Sequence, residues 1–252
     1  MIYRYLRFYT SVVLLCCLYI ISGQVALARA GLQAVATVID GDTVHLVDGT
    51  KIRLAEINAP ELGYDTKPDE PGAVAAKNLL ASIVKSSNNM VRVEAAPDAR
   101  DRYGRLIAYL YTQSGVRIQD QLLSSGLVLG YAYPPNVKYV SQLRTFEQRA
   151  RTSKLGLWSN PARIADSIAL GSSGFARVTG VITSIKRTQK SVWLGFGSKM
   201  SLRIASTDLD YFRNFAFENL RRRSIEVRGY LNTYHGQVQI RIRHPADIII
   251  LN

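Results

Sequence analysis

Both cysteines of the chain, Cys16 and Cys17, sit side by side near its start, and this placement constrains the fold more than any other single feature. Adjacent cysteines do not make an ordinary structural disulfide, so neither a disulfide framework nor a cysteine-ligated zinc site is available. The fold has to be held by a buried core. With 252 residues, 47% of them hydrophobic and 20% charged, the composition is that of a globular chain with room for two modest domains. His45, His235 and His244 are scattered singly, which excludes His-x-x-x-His zinc spacing and an evident nucleophile–histidine pair. Any metal must therefore be held by oxygen.

Charge divides the chain. Lysine and arginine outnumber aspartate and glutamate by 32 to 19, a net charge of +13, which points to a polyanionic partner, nucleic acid before an acidic membrane surface. Residues 31–160 are nearly balanced, with 15 basic and 13 acidic side chains, whereas residues 171–252 carry 13 basic against 5 acidic. The first thirty residues have no acid: Arg4 and Arg7 precede an apolar stretch from Phe8 to Ile21, and Ala26-Leu27-Ala28 and Ala28-Arg29-Ala30 follow. That is the layout of a cleavable export signal, and the run is short for a membrane span. The expectation is a protein exported to the periplasm or the exterior, with N-terminal anchoring as the other reading. Proline, glycine and serine between Ser159 and Gly174 place a linker at residues 161–174, so the expected divisions are 1–30, 31–160, 161–174 and 175–252.

Apolar alternation predicts a strand from Val35 to Leu46 and another from Lys51 to Ile57, joined by Asp48-Gly49 as a two-residue turn with positive φ at both central positions. In that register Asp42 lies opposite Ala55, with Arg53 diagonal to it on the same face. A helix over residues 72–84 uses Val74, Leu79, Leu80 and Ile83; strands follow at Val91–Ala95 and Leu106–Tyr111, and helices near Ile118–Ser125 and Val140–Ser153. These elements fit an OB-type barrel with helices packed on it.

Four pieces then occur in order: Ile39-Asp40-Gly41-Asp42-Thr43-Val44, Arg53-Leu54, Asn58-Ala59-Pro60-Glu61 and Asp101-Arg102-Tyr103-Gly104-Arg105, with Gly156-Leu157-Trp158 closing the segment. Together they resemble the staphylococcal nuclease (thermonuclease) family over roughly residues 33–160. The resemblance implies hydrolysis of DNA or RNA to fragments ending in 3′-phosphates, with Ca2+ as cofactor and single-stranded substrate favoured. It assigns Arg53 and Arg105 to the phosphate and Glu61 to general-base or water-ordering duty. Asp42 matches a metal ligand, with Asp40 in support. Asn58 stands where the typical member has a metal-binding aspartate; its carbonyl can ligate calcium but brings no charge. Arg102 and Tyr103 match positions near a terminal phosphate, and Tyr131 and Tyr133 match aromatic positions that flank the nucleotide.

The chemistry suits these side chains. Attack of water on a phosphodiester adds charge to the non-bridging oxygens, which guanidiniums meet bidentately, while a hard cation on carboxylate oxygens polarises the same phosphate. Three readings follow for the whole chain: a metal-dependent nuclease, a polyanion-binding protein impaired by Asn58, or an interaction module whose second barrel meets glycan or protein.

The C-terminal third predicts strands at Ala176–Ile185, Val192–Phe196 and Ser201–Ile204, then a helix over Thr207–Leu220 capped by Ser206 or Thr207 and packed through Leu209, Phe212, Ala216 and Leu220. Strands Ser224–Leu231, Gln237–Arg243 and Ile248–Leu251 end the chain. Three strands, a helix and two strands is the order of an OB barrel. The expected fold class is thus mainly β with helices (α+β), a nuclease-type OB barrel followed by a second, smaller OB-like β-barrel. Arg221-Arg222-Arg223, Lys186-Arg187 and outward Gln239, Arg241 and Arg243 suggest a basic face with Trp193 or Tyr230 as a stacking platform.

Overall fold

A computed structural model describes residues 31–160, 162–234 and 236–251. The expected export segment and both cysteines lie outside the described residues. The first half runs β1 (Leu32–Val38), β2 (Thr43–Leu46), β3 (Lys51–Leu54), β4 (Ile57–Asn58), α1 (Ala73–Ser86), β5 (Met90–Arg100), β6 (Leu106–Tyr111), α2 (Ile118–Ser124), β7 (Leu129–Gly130) and α3 (Val140–Thr152). Strands β1-β2-β3-β6-β5 form a closed barrel, and β4 pairs with β7 beside it. Alternation puts Val44, Leu46, Ile52 and Leu54 inside, where they meet Leu80, Ile83 and Val84 of α1 and Leu122 and Leu123 of α2 in one core.

Several local expectations are corrected. The strand predicted over Val35–Leu46 is two strands, interrupted by a bend at Asp40–Asp42. The hairpin loop has three residues: Leu46 donates its N–H to the Thr50 carbonyl, and Gly49 adopts φ 86°, so the register moves by one and Thr43, not Val44, faces Arg53. Asp42 is therefore not opposite Ala55 within a ladder, and strand alternation does not govern where its carboxylate points. The predicted strand Lys51–Ile57 stops at Leu54, because Glu56 takes a left-handed φ of 61°. Val74 is exposed, since the buried face of α1 is formed by Ala73, Ala76, Leu80, Ile83 and Val84.

The second half contains β8 (Arg163–Ile164), β9 (Gly174–Arg187), β10 (Ser191–Phe196), β11 (Met200–Ala205), β12 (Ser224–Tyr234), β13 (Gln237–Arg241) and β14 (Ile248–Ile250). The order β9-β10-β11-β13-β12 closes on itself through the β12–β9 pairing, with β14 on β12 and β8 on β9. The expected second barrel is present. Residues 161–174 do more than connect, since they contribute β8 and place Ala165 and Ile168 in the second core. The helix predicted over Thr207–Leu220 is instead two 3-10 turns, Ser206–Phe212 and Phe217–Leu220. Phe212, Phe215 and Phe217 all pack together, a spacing that a continuous α-helix does not bring to one face. Neither Ser206 nor Thr207 caps it; Ala205 holds that position with no side-chain bond, and Ala216 is exposed.

The two barrels are docked face to face. Residues two apart on a strand share a face, and Arg228 and Tyr230 of β12 both project toward the first barrel. Arg228, 1% exposed, donates to the Gly130 carbonyl at 2.8 Å and pairs with Glu147 of α3. Glu147 also accepts the Gly130 N–H at 2.7 Å. Arg151 of α3 pairs with Glu226 of β12 at 2.7 Å, and the Ala132 N–H reaches Asp247 at 3.2 Å. Trp158 packs under Arg177, whose guanidinium carbon lies 4.4 Å from the ring centroid. Arg228 and Glu226 are thus buried although they point away from the second barrel's own core.

Candidate active site

The site lies where β2, β3 and β6 begin or end beside the Asp40–Asp42 bend. Gly41 allows that bend to press on α1 and on Ala59 just after β4: a Cβ there would come within 2.6 Å of the Ala76 Cβ and 2.7 Å of the Ala59 Cβ. The flanking acids are held by short bonds. Asp40 accepts the Asp42 N–H at 2.9 Å. Asp42 Oδ2 accepts the Ala59 N–H at 2.6 Å and lies 3.0 Å from Arg53 Nη2, while its Oδ1 accepts from the Thr43 hydroxyl at 3.1 Å.

Arg53 projects from β3 into this cage. Its Nη1 donates to the Leu54 and Ile57 carbonyls at 2.8 and 3.0 Å, and its Nη2 to Asn58 Oδ1 at 3.1 Å. Both terminal nitrogens are therefore engaged by the protein, which fixes the guanidinium in place. Arg105 precedes β6, which runs parallel to β3 with Arg53 aligned to Ile107. Asp101 orders its turn by accepting the N–H groups of Tyr103 and Arg105, and grips Arg105 Nε at 2.7 Å. Arg105 Nη1 reaches the Thr43 hydroxyl at 3.4 Å, so Thr43 links Asp42 to Arg105. The Arg105 side chain is 27% exposed against 16% for Arg53, leaving it the more open of the two cations.

Glu61 lies on the exposed loop after Pro60. Its N–H donates to Glu70 Oε2 at 3.1 Å and its carbonyl accepts the Glu70 N–H at 2.9 Å, a two-way brace. Partial burial of the Glu61 carboxyl, with the charge of Asp40 adding to it, raises its pKa, and Arg53 opposes the rise. Burial likewise pushes Asp42 up to about 7 against the pull of Arg53, with Asp40 and Glu61 repelling it further.

Asp42, Arg53 and Arg105 are thus linked in one region, and Glu61 lies near enough for Asp40 and Arg53 to act on its carboxyl. Arg102 and Tyr103 sit at its exposed edge, where Arg102 donates to the Tyr103 hydroxyl at 2.6 Å and Arg105 lies 5.6 Å from that ring's centroid. Tyr131 and Tyr133 contact each other edge to face at 6.2 Å. The role of Asn58 differs from its expected one: Oδ1 accepts from Arg53 and also from the Tyr230 hydroxyl at 3.0 Å, and the side-chain N–H donates to the Ala59 carbonyl. Both lone-pair directions of that oxygen are engaged. Sequence reasoning passed over Thr43, which lay inside the quoted Asp-Gly-Asp-Thr run, and Asp101 as the anchor of Arg105. It placed Tyr230 on a separate basic face, where nothing local to β12 would have joined it to Asn58. Of that face, Arg241 is committed to Asp208 at 2.8 Å.

Repulsion among Asp40, Asp42 and Glu61, with Asp42 buried and pushed up, is what a divalent cation would relieve, and the donors are hard oxygens. The residues fit such an ion through Asp40 and Asp42, not through Asn58. Among the described residues no three His, Cys, Asp or Glu side chains form a metal cage, so water and phosphate oxygens would have to complete the coordination.

Comparison with known proteins identifies the family of the first barrel. The family model described as "Staphylococcal nuclease homologue" matches residues 51–160. "Endonuclease YncB" of Bacillus subtilis (strain 168) is 34% identical over 132 residues, covering 51% of this chain and 62% of that protein. "SPbeta prophage-derived endonuclease YokF" from the same organism is 33% identical, with 44% of its length covered. "Thermonuclease" of Staphylococcus intermedius is 32% identical over 127 residues, 49% of this chain and 74% of that protein. The chain thus spans less than two thirds of the two Bacillus proteins.

Proposed function

Because the chain belongs to the staphylococcal nuclease homologue family, we propose that it is an exported, cation-dependent nuclease that hydrolyses single-stranded DNA or RNA by attack of water on phosphorus. The observation that carries the reading is the linkage of Asp42, Arg53 and Arg105 through Thr43 and Asp101, with Glu61 close enough to be acted on by the charges of Asp40 and Arg53.

In this mechanism Arg105, held by Asp101, binds a non-bridging oxygen of the scissile phosphate, and the caged Arg53 keeps a fixed positive charge beside it as negative charge builds. Glu61, its pKa raised by partial burial and by the charge of Asp40, takes the proton of the attacking water as general base. A divalent cation, held by Asp40 and Asp42, would supply Lewis-acid polarisation of the phosphate. Calcium suits this oxygen set. The pattern of residues 1–30, basic residues before an apolar run and then small residues, supports the export part of this reading. Among the described residues no helix is long and apolar enough to cross a membrane.

A second reading is a polyanion-binding protein without cleavage; the neutral Asn58, with its oxygen spent on Arg53 and Tyr230, favours it. Labelled single-stranded DNA incubated with calcium or with chelator, beside Glu61→Gln, separates the two. The expected result is cation-dependent cleavage that falls by at least ~10²-fold in the variant. Retained binding with no cleavage under any divalent ion would refute the nuclease reading and leave the second.

A further inference from the structure

The aromatic pair of the first barrel does not stand alone. Tyr230 of β12 and Phe175 of β9, register partners in the second barrel, close against Tyr131 at 5.9 and 5.0 Å between centroids and against each other at 5.3 Å, all edge to face. Arg243, at the end of the same barrel, lies 4.3 Å from the Tyr133 ring centroid. The four rings form one wall to which each barrel contributes two. Tyr133 and Tyr230 remain 44% and 42% exposed. This wall abuts the phosphate site directly, since the Tyr230 hydroxyl donates to the oxygen that also receives Arg53.

We propose that the second barrel supplies a nucleobase subsite of the nuclease, in which the Tyr230 ring stacks a base adjacent to the scissile phosphate and Arg243 meets a neighbouring phosphate of the same strand. The occupant is single-stranded nucleic acid because that ligand alternates flat apolar bases with negative charge in the way this wall sets rings between Arg53 and Arg243. An exposed apolar wall facing a protein partner would not need cations at both ends. The electrostatics agree: the charges that act on the Tyr230 hydroxyl are those of Arg53, Asp42, Glu61 and Arg105, on top of its burial. The second barrel is accordingly part of the substrate site, not a binding module carried beside it. Its position is set by the buried Arg228–Glu147 pair two residues along β12.

The inference rests on the nuclease reading for its phosphate site, so binding and cleavage are measured separately. The full chain in excess chelator is titrated against a fluorescent single-stranded oligodeoxynucleotide and against a base-free sugar–phosphate strand of equal length. Tyr230→Leu should bind the ordinary strand ~5- to 100-fold more weakly, the range for losing one stacked base. Tyr230→Phe, which keeps the ring and loses the hydroxyl, should restore most of the affinity. The base-free strand should bind the wild type and both variants alike. Arg243→Gln, a change at a half-buried side chain that also lies 3.8 Å from Asp208 and does not depend on Tyr230 being replaceable, should weaken both strands and lessen the salt dependence of binding. Wild-type affinity in Tyr230→Leu, equal weakening for the base-free strand, or Tyr230→Phe as weak as Tyr230→Leu would overturn the subsite. Failure of the wild type to cleave with any cation would overturn the nuclease reading while leaving these binding differences to be judged.

Discussion

The contact between the barrels can be tested at one buried residue. Arg228 and Glu147 are 1% and 3% exposed, and burial of the Glu147 carboxylate is outweighed by Arg228 and Arg144, which hold its pKa below the ordinary range. In Arg228→Met the charge of Glu147 stays buried with only the Gly130 N–H at 2.7 Å and Arg144 at 3.6 Å to accompany it. Removing one partner of a buried pair costs about 3–5 kcal/mol because the other charge is left uncompensated. The remaining contacts put this case near the lower end, about 3 kcal/mol. Adding Glu147→Gln removes the stranded charge but keeps an oxygen for the Gly130 N–H, so the double variant should recover about 2 kcal/mol. Urea unfolding at pH 7.5 measures both values. The deficit of the single variant should also shrink as pH falls, because a Glu147 no longer held down by Arg228 takes up its proton in the folded state at a higher pH than in the wild type. A loss under about 1 kcal/mol for Arg228→Met, or a further loss on adding Glu147→Gln, would refute the view that uncompensated charge governs this interface.

Asp247 provides the opposite sign of pH dependence. Burial pushes it up to about 7 despite Arg228 and Arg144, so between about pH 4 and 7 the folded state holds a proton that the unfolded chain has released, and this contribution to stability is lost as pH rises through 7. Asp247→Asn should therefore gain on the wild type with rising pH, by up to about 4 kcal/mol at pH 8, read as the difference in unfolding free energy across a pH series; a constant difference would contradict it. Asp101→Asn weakens a charge-assisted hold on Arg105 worth about 1.5–3 kcal/mol, so kcat/KM on single-stranded DNA should fall about 10- to 100-fold with the melting temperature little changed. Gly41→Ala drives a methyl into Ala76 and Ala59 and should cost about 1–3 kcal/mol in thermal unfolding, together with activity, since Asp40 and Asp42 move with the bend.

Much of the first barrel was legible because its signals are local. Alternation in β2, β3 and β6 and the 3.6-residue period of the helices are set by neighbours in the chain, and the Asp-Gly-Asp-Thr and Asp-Arg-Tyr-Gly-Arg runs carry their own geometry: Asp101 closes a turn onto residues two and four positions further on. The errors also have local causes. Asp48-Gly49 reads equally as a two-residue turn or as the end of a three-residue loop, and only the pairing of Leu46 with Thr50 decides. The pairing of Asp42 with Arg53 survived the one-residue shift because Asp42 lies in a bend, outside the alternation that the shift reversed.

The junction of the barrels was illegible for a different reason. In Ser224-Ile225-Glu226-Val227-Arg228-Gly229-Tyr230 the polar residues alternate with apolar ones as they do on a strand with one solvated face, and a solvated face is what that pattern ordinarily means. Yet Ile225 through Gly229 are buried without a break, because β7, α3 and Trp158 of the first barrel cover the face that carries Glu226 and Arg228. The covering partner is about eighty residues away along the chain, as in Arg228 with Glu147, and no periodicity in either segment encodes that distance. What the sequence does contain is chemistry in excess of what a solvated strand needs: an acid, an arginine and a tyrosine at successive outward positions of β12. On the same side of the first barrel, Glu147 and Arg151 of α3 offer the complementary charges at i and i+4, the spacing that puts both on one helix face. Docking satisfies both sets together, and because Tyr230 is the next outward residue after Arg228, the pairing that holds the barrels together also delivers its hydroxyl to Asn58 beside Arg53.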